Sequence, residues 1–288
     1  LLSLKIAGSK KESNGFSVQQ QTLFSAAHKL DASDAMLSSV PFLKKEEDKH
    51  HYIRKYKWID PQKVARETLF SISKLALQDE VKKFGRSPAI THPTHVRRRG
   101  FKIIGRQSYI KNNKVYERYL TIVDYKQIFE RNLKYFYSLT NYLIKSSELL
   151  PGADPLFTFL RFVQYIPYKQ PPEIYRGKYI GRFFIPLVCL YEQYGDCDSK
   201  SLLLSEFLIS APDSQEKAGM IVIQGKGLSH ALLGAKRKPL LGMTALHLRG
   251  KGYYIILETT SPGWAPGFVS SRVLDVIKGG YFQFIELN

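Results

Sequence analysis

Tyr194-Gly195-Asp196-Cys197-Asp198-Ser199-Lys200-Ser201-Leu202-Leu203-Leu204 is the stretch on which the reading of this chain turns. A helix-compatible apolar run starts just after Cys197, and Gly195 allows the backbone to turn sharply ahead of it. Asp196 and Asp198 suit the cap and first turn of that helix. A thiol at a helix N-terminus faces unpaired backbone N–H groups and the positive end of the dipole, and both stabilise thiolate. The two carboxylates oppose that effect. A free cysteine is more often a small buried hydrophobe, so Cys197 needs a base, and the base an orienting acceptor, before it can carry chemistry.

Both partners are sought downstream, where alternating apolar residues predict strands at 219–223, 230–234, 244–248 and 253–258. His230 lies in Gly227-Leu228-Ser229-His230-Ala231, at the start of one strand. Glu258 ends the run Tyr253-Tyr254-Ile255-Ile256-Leu257 and precedes Thr259-Thr260. His247 is the second-ranked base, since Ala245-Leu246-His247-Leu248 reads as an ordinary strand with the imidazole outward. Ala235 to Gly242, with Lys236-Arg237-Lys238, reads as an insertion at the cleft rim.

Upstream, Asp154-Pro155 opens a helix through Leu156, Phe159, Leu160 and Val163 that Pro167 ends, followed by an irregular loop over 168–186. Asp60-Pro61 with Val64, Thr68, Ile72 and Leu75 at helical spacing, and Gly85 at the stop, predicts a helix over 61–84. Residues 92–100, with Arg97-Arg98-Arg99, read as an exposed basic loop. A β-hairpin is predicted over 101–123 with its turn at Lys111–Lys114. Asp124 caps a long helix with Phe129, Leu133, Phe136, Thr140 and Leu143 on one face, ended by Pro151-Gly152. Residues 1–50 are polar, with a short helix over 18–38. The class is α+β: a polar segment 1–50, an N-terminal α+β region 51–150, and a domain 151–288.

Four blocks of this sequence, taken together, are similar to a known family. They are Phe162-Val163-Gln164-Tyr165-Ile166-Pro167-Tyr168; Ile185-Pro186-Leu187 ahead of Gly195-Asp196-Cys197-Asp198; Ser229-His230-Ala231; and Leu257-Glu258-Thr259-Thr260. They closely resemble bacterial transglutaminase-like proteins of the papain-like cysteine protease superfamily, over about residues 155–270. Tyr56-Lys57-Trp58 extends a looser likeness upstream. The resemblance implies a papain-like core, with a Cys-bearing helix packed on an antiparallel sheet. It makes Cys197 the nucleophile, His230 the base and then acid, Glu258 the orienting carboxylate, and Gln164 an oxyanion donor beside the Cys197 N–H. The implied reaction is acyl transfer through a thioester on a protein or peptide amide, with water favoured over an amine as acceptor. Ser199 and Lys200, with Ser201 next, depart from the family pattern, which places an acidic and a small residue after the Cys-acid pair.

The chain has 288 residues and a formal charge of +18. Residues 1–150 carry 28 basic and 14 acidic side chains, residues 151–288 carry 15 and 11. The excess therefore belongs to the N-terminal half, which could dock on an anionic surface or polymer even if the fold were a non-catalytic binding module. No recognised nucleic-acid module accompanies Arg97-Arg98-Arg99, which disfavours nucleic acid. Cys189 and Cys197 cannot build a disulfide framework, and His50-His51 and His92-x-x-His95 lack companions for a four-ligand site, so no metal or cofactor is implied. No apolar run reaches the roughly 18 residues a bilayer span needs. The chain starts at Leu1 without Met, which leaves room for an upstream segment removed by processing or left out of this sequence; the compartment stays open, with extracytoplasmic (periplasm or cell envelope) slightly favoured over cytoplasmic.

Overall fold

The computed structural model describes residues 45–86, 93–111, 114–149 and 153–288. The helix expected over 18–38, most of the polar segment, His92, the centre of the hairpin turn and Pro151-Gly152 lie outside them.

The described chain opens with an antiparallel sheet of β1 (Lys45–Glu47), β2 (His51–Ile59) and β3 (Ala65–Ser73). Here the helix expected over 61–84 is corrected. A spacing of four satisfies both the helical period and the strand period, so Val64, Thr68 and Ile72 could not separate the two. Phe70, halfway between, is also buried, and the inner face is Thr68, Phe70 and Ile72 while Leu69 is half exposed. Asp60-Pro61 makes a turn rather than a helix start. Asp60 N–H donates to Val64 O, and its carboxylate accepts from Val64 N–H and Arg66 Nε. The helix begins only at α1 (Lys74–Lys83), where Ser73 Oγ accepts from Ala76 N–H.

α2 (Pro93–Arg98) occupies part of the expected basic loop, anchored by buried Val96 while Arg97 and Arg98 stay exposed. The hairpin is present as β4 (Phe101–Lys111) and β5 (Lys114–Val123). Asp124 caps α3 (Tyr125–Asn132), and a 3-10 turn at Leu133–Tyr135 interrupts the expected long helix before α4 (Phe136–Ser146). α5 (Leu156–Tyr165) follows, then the two-residue strands β6 (Ile174–Tyr175) and β7 (Lys178–Tyr179), then α6 (Pro186–Glu192).

α7 (Cys197–Ile209) is covered on nearly every side. It packs on a five-stranded sheet of β8 (Ala218–Gly225), β9 (Leu228–Lys236), β10 (Ala245–Leu248), β11 (Gly252–Leu257) and β12 (Phe282–Glu286). The strand order is β10-β11-β9-β8-β12, with every pairing antiparallel. α8 (Ser271–Lys278) lies against β8. The protein is thus α+β, with four of the five sheet strands where alternation placed them and the edge strand β12 added beyond them.

The boundary expected at residue 150 does not separate two cores. Tyr56, Trp58 and Phe70 belong to the same buried cluster as Phe162, Leu203 and Phe207. Phe162 packs edge-on against Tyr56, Trp58 and Phe70. β2 also satisfies the end of α6: Arg54 Nε donates to Tyr191 O at 2.8 Å, and Tyr56 Oη to Leu190 O. Among the described residues, no helix is long and apolar enough to cross a membrane.

Candidate functional site

Cys197 is the first residue of α7, and the approach to it is tightly constrained. α6 ends with Gln193 in the left-handed region at φ 63°, so the reversal falls there rather than at Gly195. Gly195 is required for space instead: a Cβ would stand 2.8 Å from Cys189 Sγ and 3.1 Å from Ser199 Cβ. Asp196 caps α7, its Oδ1 accepting from Ser199 N–H at 3.3 Å and Ser199 Oγ at 2.5 Å.

Ser199, Lys200 and Ser201, which follow Cys197 and Asp198, each have a partner. Ser199 Oγ accepts from Phe184 N–H at 2.9 Å, tying the cap to the loop before α6. Lys200 is wholly buried, and its Nζ donates to Gln164 O at 3.3 Å and Ile166 O at 2.7 Å, the open carbonyls at the end of α5. Burial lowers its pKa to about 8, against the opposing charges of Cys189, Glu258 and Cys197. Ser201 sits between Ala231 O (3.4 Å) and Thr259 Oγ1 (3.2 Å).

That last contact explains how the thiol reaches the sheet. β11 pairs with β9 only from Leu233 to Lys236, and beyond Leu257 the chain leaves the ladder. The start of α7 enters the gap. Ala231 N–H, which continued pairing would have used, is instead close enough to the Cys197 sulfur to lower its pKa, as is Asp198 N–H. The thiol therefore lies beside the residue that follows His230.

His230 Nε2 is 2.7 Å from Glu258 Oε2, with His230 15 % and Glu258 5 % exposed. Glu258 Oε1 accepts from Thr260 N–H at 2.7 Å and Thr260 Oγ1 at 2.6 Å. Burial raises the Glu258 pKa, but the bonds from His230 and Thr260 outweigh it and hold the group below the ordinary carboxylate range. With Glu258 ionised, the imidazole carries its hydrogen on Nε2, leaving the Nδ1 lone pair to act as base. His247 stands two strands from β9, with its ring stacked 4.5 Å from Tyr253. Buried Cys189 has its thiol pushed up to about 12 by desolvation.

Two expectations are corrected. Gln164 is 2 % exposed, and its Nε2 donates to Glu258 O at 2.9 Å and Trp264 O at 2.8 Å, while its Oε1 accepts from Gly263 N–H at 3.2 Å. Both amide hydrogens are committed, so Gln164 holds the backbone of Glu258 rather than facing an oxyanion. The Cys197 N–H, at the first helical position, has no intrahelical acceptor and no bond to another described residue, so it can serve an oxyanion.

The second correction concerns the thiol itself. Burial, then Asp198 and Asp196, push Cys197 up to about 12, against the two backbone N–H bonds that lower it. A helix N-terminus is worth about 0.3–1 kcal/mol at exposed sites, under one pKa unit, so desolvation wins. Asp198 is itself raised well above the carboxylate range by burial and by Asp196, and its Oδ2 accepts from Tyr125 Oη at 2.8 Å. Alkylation of Cys197 by iodoacetamide should accelerate about tenfold per pH unit from pH 7 to 10, since thiolate is the reacting form. A rate plateau below pH 8 would instead reveal a resting thiolate–imidazolium pair.

No family model, no curated protein and no solved structure matches the chain. The fold and the site therefore define an α+β protein with a hydrogen-bonded His230–Glu258 pair and a partly buried Cys197 at the start of the helix that packs on the same sheet. Among the described residues, no group of three or more His, Cys, Asp or Glu could hold a metal ion.

Proposed function

We propose that this protein is a transglutaminase-like cysteine enzyme with a papain-like core that transfers acyl groups from protein or peptide amides through a thioester. The observation that carries this reading is the His230–Glu258 bond at 2.7 Å, beside the strand position Ala231 whose N–H lowers the Cys197 pKa. As the sulfur attacks the amide carbon, His230 takes the thiol proton at Nδ1 and Glu258 steadies the imidazolium. The tetrahedral oxyanion is received by the Cys197 N–H. Collapse breaks the C–N bond, and the amine leaves with the proton from His230. Water then gives up a proton to His230, attacks the thioester and releases a carboxylic acid and the thiol. A lysine amine in place of water would give an isopeptide bond. Water is the acceptor we favour.

A mass-spectrometric assay on a mixture of unstructured peptides tests this. Wild-type protein should cleave amides or deamidate side chains, with a transient acyl adduct on Cys197. Cys197→Ala should abolish both signals, and Cys189→Ala should leave them intact. Turnover that survives Cys197→Ala would refute the reading.

A second reading, a binding module that docks through its basic half, draws on one observation. The β4–β5 hairpin exposes Ile104, Ile110 and Val115, and its sequence holds five Lys or Arg against Glu117 alone. Such binding would weaken with salt and ignore Cys197→Ala.

A further inference from the structure

Beside the thiol runs a short piece of strand that is paired on one edge only. Gly195 N–H donates to Pro167 O at 3.2 Å and Lys169 N–H to Gly195 O at 3.0 Å, which makes Tyr168 and Gly195 a parallel bridge. In a parallel bridge the flanking residues supply the bonds, so the N–H and C=O of Tyr168 itself point to the opposite edge. Neither has a hydrogen-bond partner among the described residues. Tyr168 is 59 % exposed, although Lys200 and Gly195 fix the chain on both sides of it. Its ring is close to the chemistry. Burial and then the charges of Cys197, Asp196, Asp198 and Glu258 all oppose ionisation of the phenol. A rigid strand edge with an open donor and acceptor, two bridge positions from a nucleophile, is built to receive another strand.

We propose that Tyr168 is a substrate-recognition residue whose main-chain N–H and C=O pair with an extended polypeptide and whose exposed ring covers a neighbouring substrate side chain. The substrate class is then an unfolded or extended protein segment rather than a small amide. This rests on the acyl-transfer reading only for what happens next at Cys197. Gly195 pairs with Tyr168 from behind and leads directly into Asp196 and Cys197, so the open edge of Tyr168 lies one strand away from the chain that carries the sulfur.

The decisive variant is Tyr168→Pro, compared with Tyr168→Ala. Both remove the ring, and only proline removes the outward N–H, while both bridge bonds remain because they use Gly195 and Lys169 N–H. Binding is read by fluorescence anisotropy in full-length Cys197→Ala protein. The probe is reduced, carboxymethylated α-lactalbumin, and the native disulfide-bonded form is the control. The unfolded probe should bind and the native form should not. Tyr168→Pro should bind about fivefold more weakly than Tyr168→Ala, the factor expected for one main-chain hydrogen bond. Amide exchange provides a reading free of substitution: the probe should slow exchange at Tyr168. Equal affinity of the two variants with unchanged exchange at Tyr168, or no preference for the unfolded probe, overturns the proposal. A Pro/Ala difference alongside absent Cys197-dependent turnover would defeat the chemistry and leave the recognition edge standing.

Discussion

Replacing His230 with Ala is expected to lower kcat/KM on a polypeptide substrate by about 10³-fold or more, and the double variant Cys197→Ala/His230→Ala should fall no further than the worse single one. The thiol is pushed up to about 12, so almost none of it is thiolate at neutral pH. A site of this kind cannot rely on a preformed ion pair. The proton must leave as the sulfur attacks, and the group able to take it is the imidazole that Glu258 fixes through Nε2. In the proposed mechanism Cys197 and His230 act as one unit, so their losses should not add. Glu258→Gln keeps the shape but can turn an N–H toward Nε2, which favours the other tautomer and presents a hydrogen where a base is needed; about 10²–10⁴-fold is the expected loss. Glu258 stays ionised until the pH falls through a value below the ordinary carboxylate range, so its support for His230 is complete at neutral pH and disappears only in stronger acid. Steady-state kinetics of the two single variants and the double variant check this. A double variant much slower than either single one would mean that the two groups act independently.

Each candidate group of the site sits at an element boundary that leaves a local mark in the sequence. Asp196 before an apolar run marks a helix start, His230 precedes the apolar run Ala231–Leu233, and Glu258 follows the strand-forming run Tyr253–Leu257. The supporting layer was less legible. α7 is buried on nearly every face, so Lys200, Ser201 and Glu206 carry no amphipathic signal that distinguishes them from neighbouring leucines. What Lys200 does is visible only once the end of α5 is seen to present two open carbonyls to it. Gln164 was singled out for its amide, and the amide is indeed used, but on backbone carbonyls 94 and 100 residues away that no local pattern encodes. The mistaken helix at 61–84 has a simpler origin. Every fourth residue suits either period, and the alternate position Phe70 was the residue that separated them. Gly195 likewise gave the right position for a different reason, close approach to Cys189 rather than backbone reversal.

Phe207→Ala should destabilise the protein by about 3–5 kcal/mol, near the upper end for a core substitution. Phe207 lies on the Cys197 helix with no exposure, and its ring centre is 6.0 Å from that of Phe70 on β3, 5.3 Å from Phe136 on α4, 5.9 Å from Phe159 and 5.6 Å from Phe162 on α5. Four rings from both sides of residue 150 would lose a common neighbour, and large rings cannot collapse into the space without moving the elements that carry them. Domains of ordinary size are stable by about 5–15 kcal/mol, so the loss is a large share of the total. The form of the transition matters as much as its midpoint. β2 secures the end of α6 through Arg54, and Tyr125 on α3 bonds Asp198 beside the thiol, so the N-terminal layers and the site should unfold together. Calorimetry should show one transition in both proteins, lowered on the order of 10 °C in Phe207→Ala. Two separated transitions, with only the later one shifted, would show that residues 45–149 form a core of their own and that the ring cluster is a contact between domains rather than the centre of one.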